Sequence, residues 1–317
     1  MLHTAPAEAA PRTWVSSAGT DAGACPRTAP CATFNFAHGV TDAGGEINCV
    51  DAADYGAIGI TKAISIICDN TKPGTLIAGG GIGVAINAGP TDIVTLKGLN
   101  IEGTGNGVNG ISFNTGGALH LHKVQIRNFR FSSVGTAGLY FQPDGYAELY
   151  VADSYITDNA GTSQTAGIVI RPRTSASVNA FINRVQLENN SVGVLVDGSN
   201  STGVAVNAIV LESMVVGSAG TGIAALTTAS HAAVSVLVDH TVVSGNFASG
   251  INANGAAASG AGSAVVRIGD STIALNVTGV GTTGAGVVQS FKNNRISGNL
   301  TDGTPITAFP GPGGPLQ

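Results

Sequence analysis

The sequence predicts an all-β solenoid, a stack of coils built from short parallel strands. Three observations carry that prediction: a repeated glycine-apolar pair, a second motif recurring between the glycines, and a strand-favouring composition. The pair occurs as Gly81-Ile82, Gly110-Ile111, Gly138-Leu139, Gly167-Ile168, Gly193-Val194, Gly222-Ile223, Gly250-Ile251 and Gly279-Val280, at steps of 29, 28, 29, 26, 29, 28 and 29 residues. A repeat this long in 317 residues argues for one continuous array. With 43% hydrophobic and 10% charged residues, a large core is covered mainly by Ser, Thr, Asn and Gly. A net charge of -5 without a basic run gives no electrostatic footprint for nucleic acid or anionic lipid, and neither is expected as a partner.

The second motif supplies the rest of each coil. LHLHKVQIRN (119–128), LYVADSYITDN (149–159), FINRVQLENN (181–190), VRIGDSTIALN (266–276) and SFKNNRISGN (290–299) each read as a short alternating strand, a polar corner, a second apolar strand and a polar turn. With the glycine-apolar strand this makes three strands per coil, each pairing in parallel with its copy ~4.8 Å along the axis. The stretch TAGIVIRP (165–172) then lies between 138–143 and 193–198, with Ile168, Ile170, Phe141, Val196, Ile223 and Ile251 inward. Residues 49–302 are expected to form about eight to ten coils. Asn159, Asn190, Asn246, Asn276 and Asn299 fall at one turn position, where stacked amides satisfy buried backbone. The glycines read as positions where the backbone is left-handed or otherwise cramped. Both series recur in every coil, so both read as structural.

On these repeats the chain resembles a right-handed parallel β-helix of the pectin-lyase-like superfamily, over nearly its whole length. The opening TWVSSAGTDAGACPRTAPCATFNFAHGVTDAGGEINCV resembles the superfamily's start: a short strand over 13–16, a Gly/Asp-rich loop, the Ala29, Pro30, Thr33, Phe34 segment and a short amphipathic capping helix. Phe34, Ala37, His38 and Val40 are expected to close the apolar end, so 13–48 form cap and first strand. The resemblance is to uncharacterised secreted bacterial members, which implies a fold and no activity. Residues 1–12 read as a residual leader or disordered segment and 303–317 as a Pro/Gly-rich tail.

Four cysteines lie between residues 25 and 68. Cys25 with Cys31 and Cys49 with Cys68 are the expected bridges, although four cysteines allow three connectivities. A metal site finds no C-x-x-C spacing and no nearby His cluster. Ala7-Glu8-Ala9 resembles a small-residue cleavage site, and an upstream signal sequence is expected. No segment approaches the ~20 apolar residues of a membrane span. The expected location is secreted, periplasmic or cell surface.

Function is less legible. Superfamily lyases hold calcium with carboxylates and use Arg or Lys as base, and related hydrolases use aspartates with Gly-His-Gly and Arg-x-Lys segments; this sequence has neither Gly-His-Gly nor Arg-Ile-Lys. LVDHTVVSGN (237–246) resembles a lyase segment built around Asp-His. Its Asp239 or His240 joins a column with Lys123, Asp153, Arg184, Glu212, Asp270 and Asn293, which reads as a solvated corner of compensating charges. The sharper alternative makes Glu212, Asp239 and Asp270 paired catalytic carboxylates or calcium ligands; no other cofactor is expected. There is no Lys or Arg between 185 and 266 to serve as a lyase base.

A more distinctive surface lies between 120 and 173, with four of the five tyrosines. Tyr140, Tyr150 and Tyr155, with Arg130, Arg171 and Arg173, are the candidate ligand-binding residues, because tyrosine faces stack on sugar rings and arginine forks fix hydroxyl or carboxylate groups. That role requires them to share one face. Arg171 and Asp197, each four residues after a repeat glycine, are expected to form a surface ion pair. The outward positions Ser112, Tyr140, Val169, Leu195, Ala224 and Asn252 lack the threonine array of an ice-binding face. The expected function is therefore carbohydrate binding or a structural role, with a polysaccharide or cell-surface glycan as partner. The alternative is a polysaccharide lyase or glycoside hydrolase acting on an acidic polysaccharide.

Overall fold

In the computed structural model, residues 10–68, 73–131, 135–160, 165–303 and 306–308 are described. The expected leader and tail lie largely outside them. The chain winds through about nine turns of a parallel β-solenoid. Its strands fall into three parallel sheets, a first of twelve strands and a second and third of ten each. One coil illustrates all: Ala147–Ala152 in the first sheet, Tyr155–Thr157 in the second and Ala166–Ile170 in the third. Ile168 pairs with Leu139 on one side and Val194 on the other, as the repeat predicts. Ile168, Ile170, Phe141, Val196, Ile223 and Ile251 are all buried in one continuous core. Among the described residues no helix is long and apolar enough to cross a membrane.

The N-terminal end is closed by the helix Phe34–Val40, started by Thr33, whose side chain accepts a hydrogen bond from the Phe36 amide. Phe34, Ala37 and His38 are buried and Val40 packs on the same core. The Phe34 ring meets Tyr55 edge-on at 5.0 Å. Cys25 bridges Cys31 and Cys49 bridges Cys68, the latter pair at the ends of two adjacent strands of the first sheet, Thr41–Cys49 and Ile64–Ile67. His38 Nε2 accepts the Thr61 amide, so the imidazole is neutral there, and burial with the nearby Lys62 charge lowers its pKa from 6.5 to about 4.

Two turns of the coil are buried, and in several coils their amides are satisfied by side chains of the next coil. Where the second sheet passes into the third, Asn159 Oδ1 accepts the Phe129 amide, Asn190 Oδ1 the Asn159 amide, and Asn276 Oδ1 the Asn246 amide at 3.0 to 3.1 Å. The same side chains donate back to Ile126, Ile156 and Val243 carbonyls. Where the first sheet passes into the second, a hydroxyl series does equivalent work: Ser154, Ser213, Thr241 and Ser271 accept the amides of Val124, Val185, Ser213 and Thr241.

The repeat glycines are cramped rather than left-handed. A Cβ at Gly138, Gly167, Gly222 or Gly250 would lie 2.8 to 2.9 Å from an amide nitrogen of the asparagine series, and within 3.0 Å of the next coil's carbonyl. Only glycine leaves room for that amide. The register also corrects the first mark: Gly83, not Gly81, aligns with Gly110, because Ile82 pairs with Asn109.

Ser218 replaces asparagine at one position of the series, and its buried Oγ has no hydrogen-bond partner among the described residues. Ser218→Asn is expected to restore the missing acceptor and raise unfolding free energy by about 1 kcal/mol in urea titrations. A second expectation concerns the cap. The folded pKa of His38 lies below its free value, so protonation favours the unfolded chain. Stability is then fully present above pH 6.5, falls as pH drops from 6.5 towards about 4, and levels off below that. The loss should be ~3 kcal/mol at most and should be flattened in His38→Gln.

Candidate functional site on the first sheet

Strand register stacks His120, Tyr150, Phe181, Ile209 and Leu237 in one outward column of the first sheet. The His120 ring meets Tyr150 edge-on at 4.7 Å, and Tyr150 lies parallel to Phe181 at 5.0 Å. Two residues earlier on the same strands, Glu148, Asn179, Asn207 and Ser235 form a polar column. The two columns run side by side because alternation along a strand and identity of register between coils place like positions in rows.

The polar column is hydrogen-bonded along its length. Asn207 Nδ2 donates to Asn179 Oδ1 at 3.0 Å, and Asn179 Nδ2 donates to the Tyr146 hydroxyl at 3.1 Å. Tyr146 and Tyr150 each donate to one oxygen of Glu148, at 2.6 and 2.8 Å. These bonds hold the Glu148 carboxyl below its usual pKa and raise both phenols. Burial lowers the pKa of His120 despite the neighbouring Glu148 charge. The small Ala152 leaves an apolar depression of about 300 Å³ walled by Tyr150, Phe181, Ile209 and Leu211. Asn183 also lines it, and its Oδ1 is buried without a hydrogen-bond partner. On the other side of Tyr146 a second depression of about 540 Å³ is lined by Ala88, Pro90, Thr115 and Asp144.

The six candidate ligand residues do not share this face. Tyr150 is on the first sheet, Tyr155 on the second and Tyr140 on the third, so a single groove holding all three does not form. Tyr155 donates to Glu188 at 2.8 Å. Arg130 pairs with Asp158 at 3.1 Å, and Arg173 with Asp144 at 2.9 Å beside the larger depression. Tyr140 points outward as alternation predicts but is only 8% exposed, packed in a separate apolar cluster with Ala137, Ala166, Val169 and Leu195. Arg171 joins it there, donating to Asp197 at 2.8 Å and to the Tyr140 hydroxyl at 3.2 Å. With side chains 8% and 2% exposed, Arg171 and Asp197 form a buried pair, not the expected surface one. A second apolar layer outside the third sheet excludes water from it.

His120, Glu148, Asn179 and Phe181 do not stand out in the sequence as site residues. One repeat beyond Tyr150 lies Phe181, so the repeat, not proximity in the chain, is the signal that links them.

Glu212, Asp239 and Asp270 belong to a charge-compensated corner. His240, not Asp239, occupies the column, and Lys123, Asp153, Arg184, Glu212, His240 and Asp270 all adopt left-handed backbone at φ 41 to 54°. Arg184 bonds Asp153 at 2.7 Å and approaches Glu212 at 3.8 Å; His240 bonds Asp239 at 3.0 Å and approaches Asp270 at 3.7 Å. The hydrogen bond and charge of Asp239 raise the His240 pKa. Among the described residues no three His, Cys, Asp or Glu side chains are placed to hold a metal ion.

Three parallel sheets, stacked asparagines in a buried turn and a helical cap define the architecture as a parallel β-helix. Among solved structures it is similar to a pectate lyase, Pel9A, at a TM-score of 0.55 and 11% identity, covering 93% of this chain and 80% of that one. At that identity the likeness is one of fold. No family model matches the sequence, and no curated protein does.

Burial decides what the outer arginines contribute. Arg171→Ala, which strands Asp197 in an apolar cluster, should cost ~3–5 kcal/mol. Arg130→Ala breaks an exposed pair and should cost ~0–1 kcal/mol. Paired denaturant titrations measure both.

Proposed function

We propose that the protein is a secreted or cell-surface carbohydrate-binding β-helix whose glycan lies along the outer face of the first sheet. One observation carries this reading: a hydrogen-bonded polar column, Tyr146, Glu148, Asn179 and Asn207, runs beside an outward-facing apolar one of half-buried Tyr150 and Ile209 and exposed Phe181. A sugar ring has the same two-sidedness, with C–H patches that settle on aromatic and aliphatic surface and hydroxyls that need fixed acceptors and donors. Glu148, ionised and aimed by two phenols, is an acceptor for hydroxyls. The flanking depressions give a chain of sugars room to continue in both directions. Two disulfides at the capped end suit an oxidising location.

The same electrostatics favour binding over bond cleavage. A glycosidase needs a carboxyl that stays protonated to donate to the leaving group, whereas hydrogen bonds lower the pKa of Glu148. A lyase needs a base, whereas the neighbouring carboxylate raises the pKa of both phenols. Affinity electrophoresis against a polysaccharide panel tests the reading. Retardation by at least one glycan is expected, with about tenfold weaker binding by Tyr150→Ala or Phe181→Ala at unchanged thermal stability. Equal retardation of wild type and both variants on every glycan would remove this site. Release of reducing ends or unsaturated products, with or without Ca²⁺, would make the protein an enzyme.

A further inference from the structure

The apolar depression on the first sheet has one polar member whose bonding is incomplete. It lies between two outward columns, Tyr150, Phe181 and Ile209 on one side and Ala152, Asn183 and Leu211 on the other, paired in register across three coils. Ala152 supplies the space, because its side chain ends at a methyl where the next two coils carry the larger Asn183 and Leu211. The result is a recess of about 300 Å³ with no charged side chain on its lining.

Asn183 stands in this lining with its Oδ1 buried and without a hydrogen-bond partner. The carboxamides of the polar column differ: Asn207 donates to Asn179, and Asn179 to Tyr146. Neither coil neighbour of Asn183 can do the same, since the side chains of Ala152 and Leu211 carry no donor. A carboxamide oxygen left so forfeits the hydrogen bond it has in water. Rotation about χ2, a broad two-fold torsion, turns that oxygen towards the recess. A ligand that completes it must bring one donor attached to apolar surface. A hydroxyl-rich face does not fit, because each further hydroxyl would rest on hydrocarbon. A carboxylate does not fit either, because the lining offers it no cation.

We propose that the recess holds the acetamido group of a 2-acetamido-2-deoxyhexose, so that the glycan on the first sheet is a neutral N-acetylated one; the inference rests on the carbohydrate-binding reading above. The acetyl methyl lies against Phe181, Ile209 and Leu211, and the amide N–H donates to Asn183 Oδ1. Positions two residues apart on a strand are ~7 Å apart. A ring stacked on Tyr150 or Phe181 therefore has the recess at one edge and the polar column at the other. A pyranose matches that arrangement, because C2, which bears the acetamido group, lies across the ring from C5, whose hydroxymethyl then reaches Glu148 where Tyr146 and Tyr150 fix it. A uronic acid placed in the same way would set its carboxylate against that of Glu148 and its C2 hydroxyl in the apolar recess. The surface thus selects against acidic sugars.

Ligand-observed NMR on the full chain compares the methyl glycosides of N-acetylglucosamine and N-acetylgalactosamine with those of glucose, galactose, galacturonate and 2-O-acetylglucose. The acetamido glycosides are expected to bind about tenfold tighter than the parent hexosides, with the strongest saturation transfer on the acetyl methyl. The 2-O-acetyl compound, which has the methyl and no N–H, should fall between them, and galacturonate below all. Asn183→Leu keeps the volume and removes the carboxamide, and should bring the acetamido glycosides down to the level of the 2-O-acetyl compound. Ala152→Leu fills the recess and should abolish the preference. Both positions are half-buried on the outer face, and unchanged thermal unfolding shows that each variant is folded. No acetamido-glycoside binding at about 10 mM, equal affinity for acetamido and parent hexosides, or a preference retained in both variants would overturn the proposal. In that event, weaker polysaccharide retention by Tyr150→Ala and Phe181→Ala would leave the first-sheet reading standing, and retention equal to wild type would remove both.

Discussion

A solenoid buries its turns, and a buried turn has backbone amides that neither its own strand nor water can satisfy. In this protein the next coil provides the acceptor, through Asn159, Asn190, Asn246, Asn276 and Asn299 at one corner and through Ser154, Ser213, Thr241 and Ser271 at another. The requirement propagates outward. Each asparagine amide needs the space that a repeat glycine vacates, and that glycine sets where the third-sheet strand starts. The strand then fixes which residues of the coil face the core. The third corner, between the third and first sheets, carries Tyr146 on the loop before the strand Ala147–Ala152, beside Glu148.

That division explains what was legible in the sequence. The glycines and asparagines recur because every coil meets the same demand, so the fold, the pairing of Ile168 with Leu139 and Val194, and the burial of Ile170 and Phe141 followed from spacing. The cap was readable from Phe34, Ala37 and His38, because an end of a stack must be closed. The hydroxyl series escaped notice, since serine and threonine are common across the whole surface. Gly81 reads as the repeat position because two glycines stand two residues apart, and only the register chooses Gly83.

The site was less legible for a geometric reason. Residues close in the sequence of a coil lie on different sheets, while residues one repeat apart lie side by side. Tyr140, Tyr150 and Tyr155 look like a cluster and face three ways; Tyr150 and Phe181 look remote and stack. Alternation gave the outward direction of Tyr140 correctly but could not register the outer apolar layer formed with Val169 and Leu195. The same layer turned an expected surface contact between Arg171 and Asp197 into a buried one.

The alternating corner also bears on how such a chain can lengthen. From Lys123 to Asp270, neighbouring coils carry opposite charge, with His240 completing the alternation when protonated. Duplicating a single coil within this stretch would set like charges at adjacent positions, at residues already held in left-handed backbone. Duplicating two consecutive coils would preserve the alternation. The corner therefore acts as a parity rule: the stack tolerates growth by pairs of coils more readily than by single ones.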